Sequence, residues 1–330
     1  MRLLTRSDVQ RTISMREAIP IVKQAFCELS TGRANVPLRT VMPQPKHDGV
    51  TLFMPGYLSE SEALAVKVVS IHHRNPAHHL PLIHALVLVI DPRTGIPVAA
   101  MEGGYLTALR TGAASGVATD LLARQDAEVA AIFGAGAQAR TQMLAVAAVR
   151  PIKQFWIYAR HPERVQSLIA EMRPQLDAGI ELLAAESPAQ AVKNAQVICT
   201  ATTSFMPVFD GADLQPGTHI NSVGSYKAEM QEVDCTTLQR AAKIVVDERE
   251  AAFSEAGDLI VALAQGAIQS SDIYGELGEI AAGLKPGREH EDEITYFKSV
   301  GNAAQDAAVA HAIYQRALQQ NLGTECDLFA

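Results

Sequence analysis

EVAAIFGAGAQARTQMLAVAAV, residues 128–149, decides the fold. A short branched and apolar run, 128–133, leads into Gly134-Ala-Gly136-Ala-Gln-Ala139, and TQMLAVAAV continues as a helix. Gly134 permits a tight turn, Gly136 lets the backbone approach a pyrophosphate, and Ala139 lets helix and strand pack closely. Free N–H groups at the helix start then favour an anion. A tight turn with no ligand would read the same way in isolation. The sequence that follows decides for a nucleotide.

From Asp126 onward strands and helices alternate. Candidate strands lie at 128–133, 153–158, 180–183, 196–201, 219–223 and 243–247, which predicts a parallel, doubly wound sheet. Pro162 fits a first helical turn, and Ser187-Pro-Ala-Gln190 reads as a cap with proline behind it. The second strand ends in Tyr158-Ala159-Arg160-His161, where an NAD-selective site usually carries Asp or Glu against the ribose. Arg160 there suits the 2′-phosphate of NADP, which favours NADPH over NADH; the competing reading is a solvated arginine opening the next helix. Thr200-Ala201-Thr202-Thr203-Ser204 ends the fourth strand, so its hydroxyls either line a cofactor or satisfy a turn.

Upstream the grammar differs. Ser14-Met-Arg-Glu17 is a capping box for a helix running to Ser30, with Gly32 beyond it. Runs at 50–54, 63–71, 85–91 and 96–101, with a turn at Asp91–Gly95, predict helix plus antiparallel sheet. Tyr105–Arg124 reads as a bridging helix crowded with small residues, and Ala303–Gln320 as a last helix returning to the first domain. The expected fold is α/β: a Rossmann-type domain over 121–302, and an α+β substrate and dimerisation domain over 1–120 and 303–330.

Composition agrees. The 330 residues are 48% hydrophobic and carry a formal charge of −8, so a large core is available and a broad nucleic-acid surface is disfavoured. Cys27, Cys199, Cys235 and Cys326 stand apart without a C-x-x-C pair, and no run is long and apolar enough to span a bilayer. A cytoplasmic protein with no membrane partner is expected.

Three cations stand out in the first domain. Alternation places Ala63, Ala65, Lys67, Val69 and Ile71 on one strand face, so Lys67 interrupts an apolar row. Either it snorkels off the sheet edge or it meets an anion. With Arg39 and Arg110 it could clamp a carboxylate. His84, before a strand, is a further candidate for the site. His72, His73, His78, His79 and His84 crowd together but lack metal-ligand spacing, so no metal is expected. Glu276, Glu279, Glu289, Glu291 and Glu293 read as solvated charge. No G-x-S-x-G or cysteine nucleophile context argues for hydrolysis.

These segments together resemble the ornithine cyclodeaminase and mu-crystallin family. The matching stretches are VPLR, AVKVVS, D-x-x-T-G, LTALRTGAASGVA, GAGAQA, CTATTS, HINSVGS, ELGEIAAGLKPGR and FKSVGNAAQD, ending at Asp306. The resemblance implies a homodimer with Arg39, Lys67 and Arg110 holding a substrate carboxylate beside a nicotinamide, Lys67 also being a candidate proton donor. It further implies cofactor contacts at Thr111, Gly134, Gly136, Ala137, Gln138, Arg160, Thr200, Ala201, Thr202, Val223, Gly224, Ser225, Lys298 and Gly301. Cyclodeaminases of the family read approximately V-G-x-D-x-P-G-K where this chain reads Val223-Gly-Ser-Tyr226-Lys. A phenol is a poor base at neutral pH, so Tyr226 argues against cyclodeamination. The V-G-S-Y form resembles the family's ketimine reductases. NAD(P)H-dependent reduction of Δ1-pyrroline-2-carboxylate to L-proline is therefore expected, with Δ1-piperideine-2-carboxylate as a second cyclic imino-acid substrate. Ornithine cyclodeamination, alanine dehydrogenase-like chemistry and non-catalytic NADPH binding are the alternatives.

Overall fold

The computed structural model describes residues 1–328. The chain divides into two compact units, Met1–Arg110 with the chain from Asn302, and Thr111–Gly301. The division falls inside a helix, earlier than the boundary expected after residue 120.

The first unit starts with β1 (Arg2–Leu4), α1 (Arg6–Thr12) and α2 (Met15–Ser30). Ser14 and Glu17 form the expected capping box on α2, while α1, not expected from the sequence, has its own box between Thr5 and Asp8. Strands β2 (Ala34–Asn35), β3 (Thr40–Gln44), β4 (Gly49–Leu58), β5 (Ala63–His72), β6 (Ile83–Ile90) and β7 (Pro97–Glu102) follow. The first unit's sheet is antiparallel apart from β1, which pairs with β7 in parallel. Helix α3 (Gly103–Leu122) then carries the chain into the second unit.

That unit alternates: β8 (Val129–Phe133), α4 (Ala137–Val149), β9 (Gln154–Tyr158), α5 (Pro162–Met172), β10 (Glu181–Ala184), α6 (Pro188–Val192), β11 (Val197–Thr200) and β12 (His219–Ser222). Next come α7 (Cys235–Arg240), β13 (Lys243–Val246), α8 (Arg249–Glu255), α9 (Gly257–Ala264), β14 (Ile273–Glu276), α10 (Leu277–Ala281) and β15 (Thr295–Lys298). The parallel sheet is ordered β10-β9-β8-β11-β12-β15-β13-β14. Its strand order reverses between β8 and β11, the switch point where ligands of such sheets bind. Two strands were not expected: β14 contains Gly275, and β15 ends on Lys298, so neither shows a continuous apolar run. The last helix, α11 (Ala303–Gln319), and β16 (Thr324–Glu325) complete the first unit.

His219 is wholly buried in β12, with ring nitrogens 2.9 Å from Thr295 Oγ1 and 3.2 Å from Asn221 Oδ1. Burial holds its pKa down to about 3, so it is neutral. Glu276, Glu279 and Glu293 are half-buried rather than solvated. Glu276 accepts from the Arg249 amide, Glu279 pairs with Lys285 at 3.0 Å, and Glu293 stands 3.7 Å from Lys243. Glu289 and Glu291 are exposed as expected.

Candidate active site

In the second unit, β8 delivers the chain into Gly134 at φ +111°, a backbone that L side chains rarely adopt. The Gly134 N–H donates to Tyr158 O at 2.8 Å, and a Cβ there would stand 2.5 Å from Ala201 O. Glycine thus lets the turn cross the end of β11. Gly136 caps α4 without a side chain, Gly136 and Ala137 are exposed, and a Cβ on Gly136 would meet nothing within 4 Å. The open space above these uncapped amides leaves room for an anion such as a pyrophosphate. Arg160 is exposed just past β9.

The turns after β11 and β12 are held by Glu232, which sequence reasoning did not single out. Its fully buried carboxylate accepts from Thr200 Oγ1 (2.9 Å), Thr202 N (2.6 Å), Thr202 Oγ1 (2.8 Å), Gly224 N (2.7 Å) and Ser225 N (3.1 Å). Thr200 and Thr202 therefore spend their hydroxyls on an internal brace, the turn-satisfying alternative of the sequence reading. Gly224 is glycine because a Cβ would stand 2.3 Å from Thr202 O. Asp258 lies beneath, accepting from Glu232 N at 2.6 Å and pairing with Lys298 at 2.9 Å. Lys298 Nζ also donates to Ser225, so its charge is engaged inside the protein. Burial pushes the Asp258 carboxyl up, but Lys298 and its hydrogen bonds win and hold it below the ordinary value; Glu232 is pushed up by burial despite Lys298. Gly301 N donates to Asp247 Oδ2 at 2.7 Å, and Thr111 is buried in α3. Val223, Gly224 and Ser225 line up directly after β12. Tyr226, half-buried, has its pKa raised by burial and then by Glu229, so it stays a neutral phenol.

In the first unit, β5 alternates buried and half-buried residues as its sequence predicts, with Lys67 on the buried face. Met54 of β4 and Val87 of β6 stand opposite it, and both are buried. The anion that Lys67 requires comes from α11. Lys67 Nζ lies 2.6 Å from Asp306 Oδ2, with both side chains 2% exposed. Arg110 Nε stands 3.1 Å from Asp306 Oδ1, and its Nη1 donates to Gln305 Oε1 at 2.8 Å. The helix start can come this close because its first residues are small: a Cβ on Gly56 of β4 would already lie 2.8 Å from Ala303 O. Asn302 caps α11 by accepting from the Gln305 amide.

Burial lowers the Lys67 pKa to about 8; Asp306 raises it, while Arg110 and Arg39 push it further down. For Asp306 burial raises the carboxyl, and Lys67, Arg110 and Arg39 outweigh it, leaving it below the ordinary range. Half-buried Arg39 thus acts on both members of the pair. Lys67 and Arg110 share one carboxylate, two buried cations against a single anion, and that balance suits an anionic ligand.

His84 is not brought to this cluster. It pairs with Ser70, so its side chain is on the opposite sheet face from Lys67, and it is exposed. His73, His78 and His79 are exposed as well. Asp306 closed one of the matching segments without a role of its own, and Gln305 was passed over. The signal for Asp306 was the electrostatic need of Lys67 itself.

Fold and site define a Rossmann-type, dinucleotide-binding α/β protein whose other unit carries a buried cluster of Lys67, Arg110 and Asp306. The chain belongs to the ornithine cyclodeaminase/mu-crystallin family, whose pattern it matches over residues 1–321. It is 37% identical to a Δ1-pyrroline-2-carboxylate reductase of Bacillus cereus, covering 99% of this chain and 100% of that one. The Thermococcus litoralis Δ1-pyrroline-2-carboxylate reductase, solved with NADH and L-proline, is similar at 47% identity and TM-score 0.94, covering 99% of this chain and 100% of that one. An archaeal alanine dehydrogenase dimer with bound NAD is 35% identical at TM-score 0.92, covering 100% and 99%. Among the described residues no helix is long and apolar enough to cross a membrane.

Proposed function

We propose that this chain is an NAD(P)H-dependent ketimine reductase that converts Δ1-pyrroline-2-carboxylate to L-proline and also accepts Δ1-piperideine-2-carboxylate. The observation that carries the reading is the buried pair of Lys67 and Arg110 on the carboxylate of Asp306, with half-buried Arg39 acting on it electrostatically. Its excess positive charge fits a small monocarboxylate. Arg110 is fixed by α11 through its Nε and Nη1, which orients the guanidinium for a carboxylate. The nicotinamide supplies a hydride when bound. Lys67, charged below its pKa of about 8, supplies the proton that the imine nitrogen needs. Tyr226, a neutral phenol where cyclodeaminases carry aspartate, supports reduction over deamination.

The cofactor is assigned to Gly134, Gly136, Ala137, Gln138, Ala201 and the Val223–Ser225 turn, with Arg160 favouring NADPH. Thr111, Thr200 and Lys298 are buried, Thr202 is held by Glu232 and Gly301 by Asp247, and these residues are assigned to supporting that surface. A homodimer is proposed as well. Met42 and Leu86, 51% and 50% exposed, lie on the sheet face opposite Lys67 and offer an apolar surface to a second copy. Four free cysteines suit a reducing cytoplasm.

The test follows NADPH and NADH oxidation with each cyclic imine and with pyruvate plus ammonia, and separately ammonia and proline formation from ornithine with NAD, a conversion with no net redox change. Rapid oxidation with a cyclic imine is expected. Turnover of pyruvate and ammonia alone would assign an alanine dehydrogenase, and proline from ornithine alone a cyclodeaminase.

A further inference from the structure

We infer that Asp306 is the positioning residue that keeps Lys67 in its charged, proton-donating form, an inference that rests on the reductase reading. The geometry is specific. One carboxylate divides its oxygens between Lys67 Nζ at 2.6 Å and Arg110 Nε at 3.1 Å, so both cations are fixed by the same residue of α11. Gln305, the preceding residue, holds the Arg110 Nη1 edge at 2.8 Å. The first turn of α11 therefore sets both the orientation of the arginine and the charge of the lysine.

The groups facing Lys67 are few. Its cross-strand neighbours Met54 and Val87 do not titrate. Arg110 from α3 and Arg39 from the segment before β3 both repel a proton, and Asp306 from α11 attracts one. Without Asp306, an ammonium in an apolar row beside two guanidinium groups would shed its proton. Burial and these neighbours bring Lys67 to about 8, so it is charged at neutral pH and still acidic enough to give the proton up.

In the reaction the hydride forms a C–H bond at the imine carbon, and the C=N π pair moves to nitrogen. A Lys67 N–H bond breaks, its electrons staying on the amine, and the proton forms the new N–H bond of the product. Water then reprotonates Lys67. Asp306 remains ionised throughout and touches no reacting atom.

The experiment labels lysine with 13C at Cε and follows the Lys67 resonance against pH in the cofactor-free protein, Lys67→Met identifying the signal by its loss. The pH profile of kcat with Δ1-pyrroline-2-carboxylate is measured alongside. In the wild type both titrate near 8. In Asp306→Asn the Lys67 titration and the basic limb of kcat both move to lower pH by about one to three units. Asp306→Glu, which keeps the charge but displaces it, falls between the two. A Lys67 resonance that titrates in Asp306→Asn as in the wild type overturns the inference. If Asp306→Asn does not fold, Asp306→Glu decides: a lowered titration supports the inference, and an unmoved one overturns it. A wild type that reduces neither imine sinks the reductase reading, while the resonance in the cofactor-free protein still decides whether Asp306 holds the charge.

Discussion

The backbone nitrogen of Thr202 stands 2.6 Å from Oε1 of Glu232, and the same carboxylate takes the amides of Gly224 and Ser225 with its other oxygen. Two turns at the ligand-binding edge of the parallel sheet are thus tied to one buried anion.

Replacing Glu232 by Gln sets an amide NH2 against at least one backbone N–H that can only donate, so one turn must shift. The dissociation constant for NADPH, read by fluorescence titration, is expected to rise by about tenfold or more, since a broken buried hydrogen bond costs about 1–3 kcal/mol. Unchanged affinity in a folded variant would show that the turns do not need this brace.

Lys67→Met removes the proposed proton donor while keeping an unbranched chain of similar length. The expected loss in kcat is about 10²–10⁴-fold, with NADPH affinity unchanged because every proposed dinucleotide contact lies in the second unit. Near-normal turnover of the cyclic imine would remove Lys67 from the mechanism.

At the end of β9, Arg160→Asp replaces an exposed cation with the carboxylate that suits a ribose 2′-hydroxyl. The ratio of kcat/KM for NADPH over NADH is expected to fall by about tenfold or more. A ratio that does not move would mean that Arg160 is only a solvated residue before α5.

His219 makes stability depend on pH. Its pKa falls from 6.5 in the unfolded chain to about 3 in the folded one, so protonation favours unfolding. Its contribution is complete above 6.5 and is lost as pH falls toward 3, at about 1.4 kcal/mol per unit. Urea unfolding at pH 6.5 and 5 should show this slope in the wild type and a flatter one in His219→Gln. Equal slopes in the two proteins would contradict it.

The parts of the molecule legible in sequence are those governed by local rules. The turn after β8, the cap on α2 and the placement of Lys67 on the inward face of β5 follow from glycine geometry, capping chemistry and strand alternation. What escaped depends on residues far apart in the chain. β15 is a central strand although its four residues end in a lysine, because Asp258 neutralises that charge from another element. His84, a candidate for the site from its place before a strand, stands by the even-odd register on the other face from Lys67. Glu232 belongs to no motif, and only the folded chain brings it under the turns that it holds.

Arg110 and the Asp306 that it binds are separated by 196 residues, and the whole second unit is made between them. During synthesis the cofactor-binding half is complete while the lysine of the other half still lacks its counter-ion. The first unit's sheet can pair early, but Lys67 must wait for α11, so a product terminated just before that helix would keep the Rossmann sheet and lack the carboxylate that pairs with Lys67.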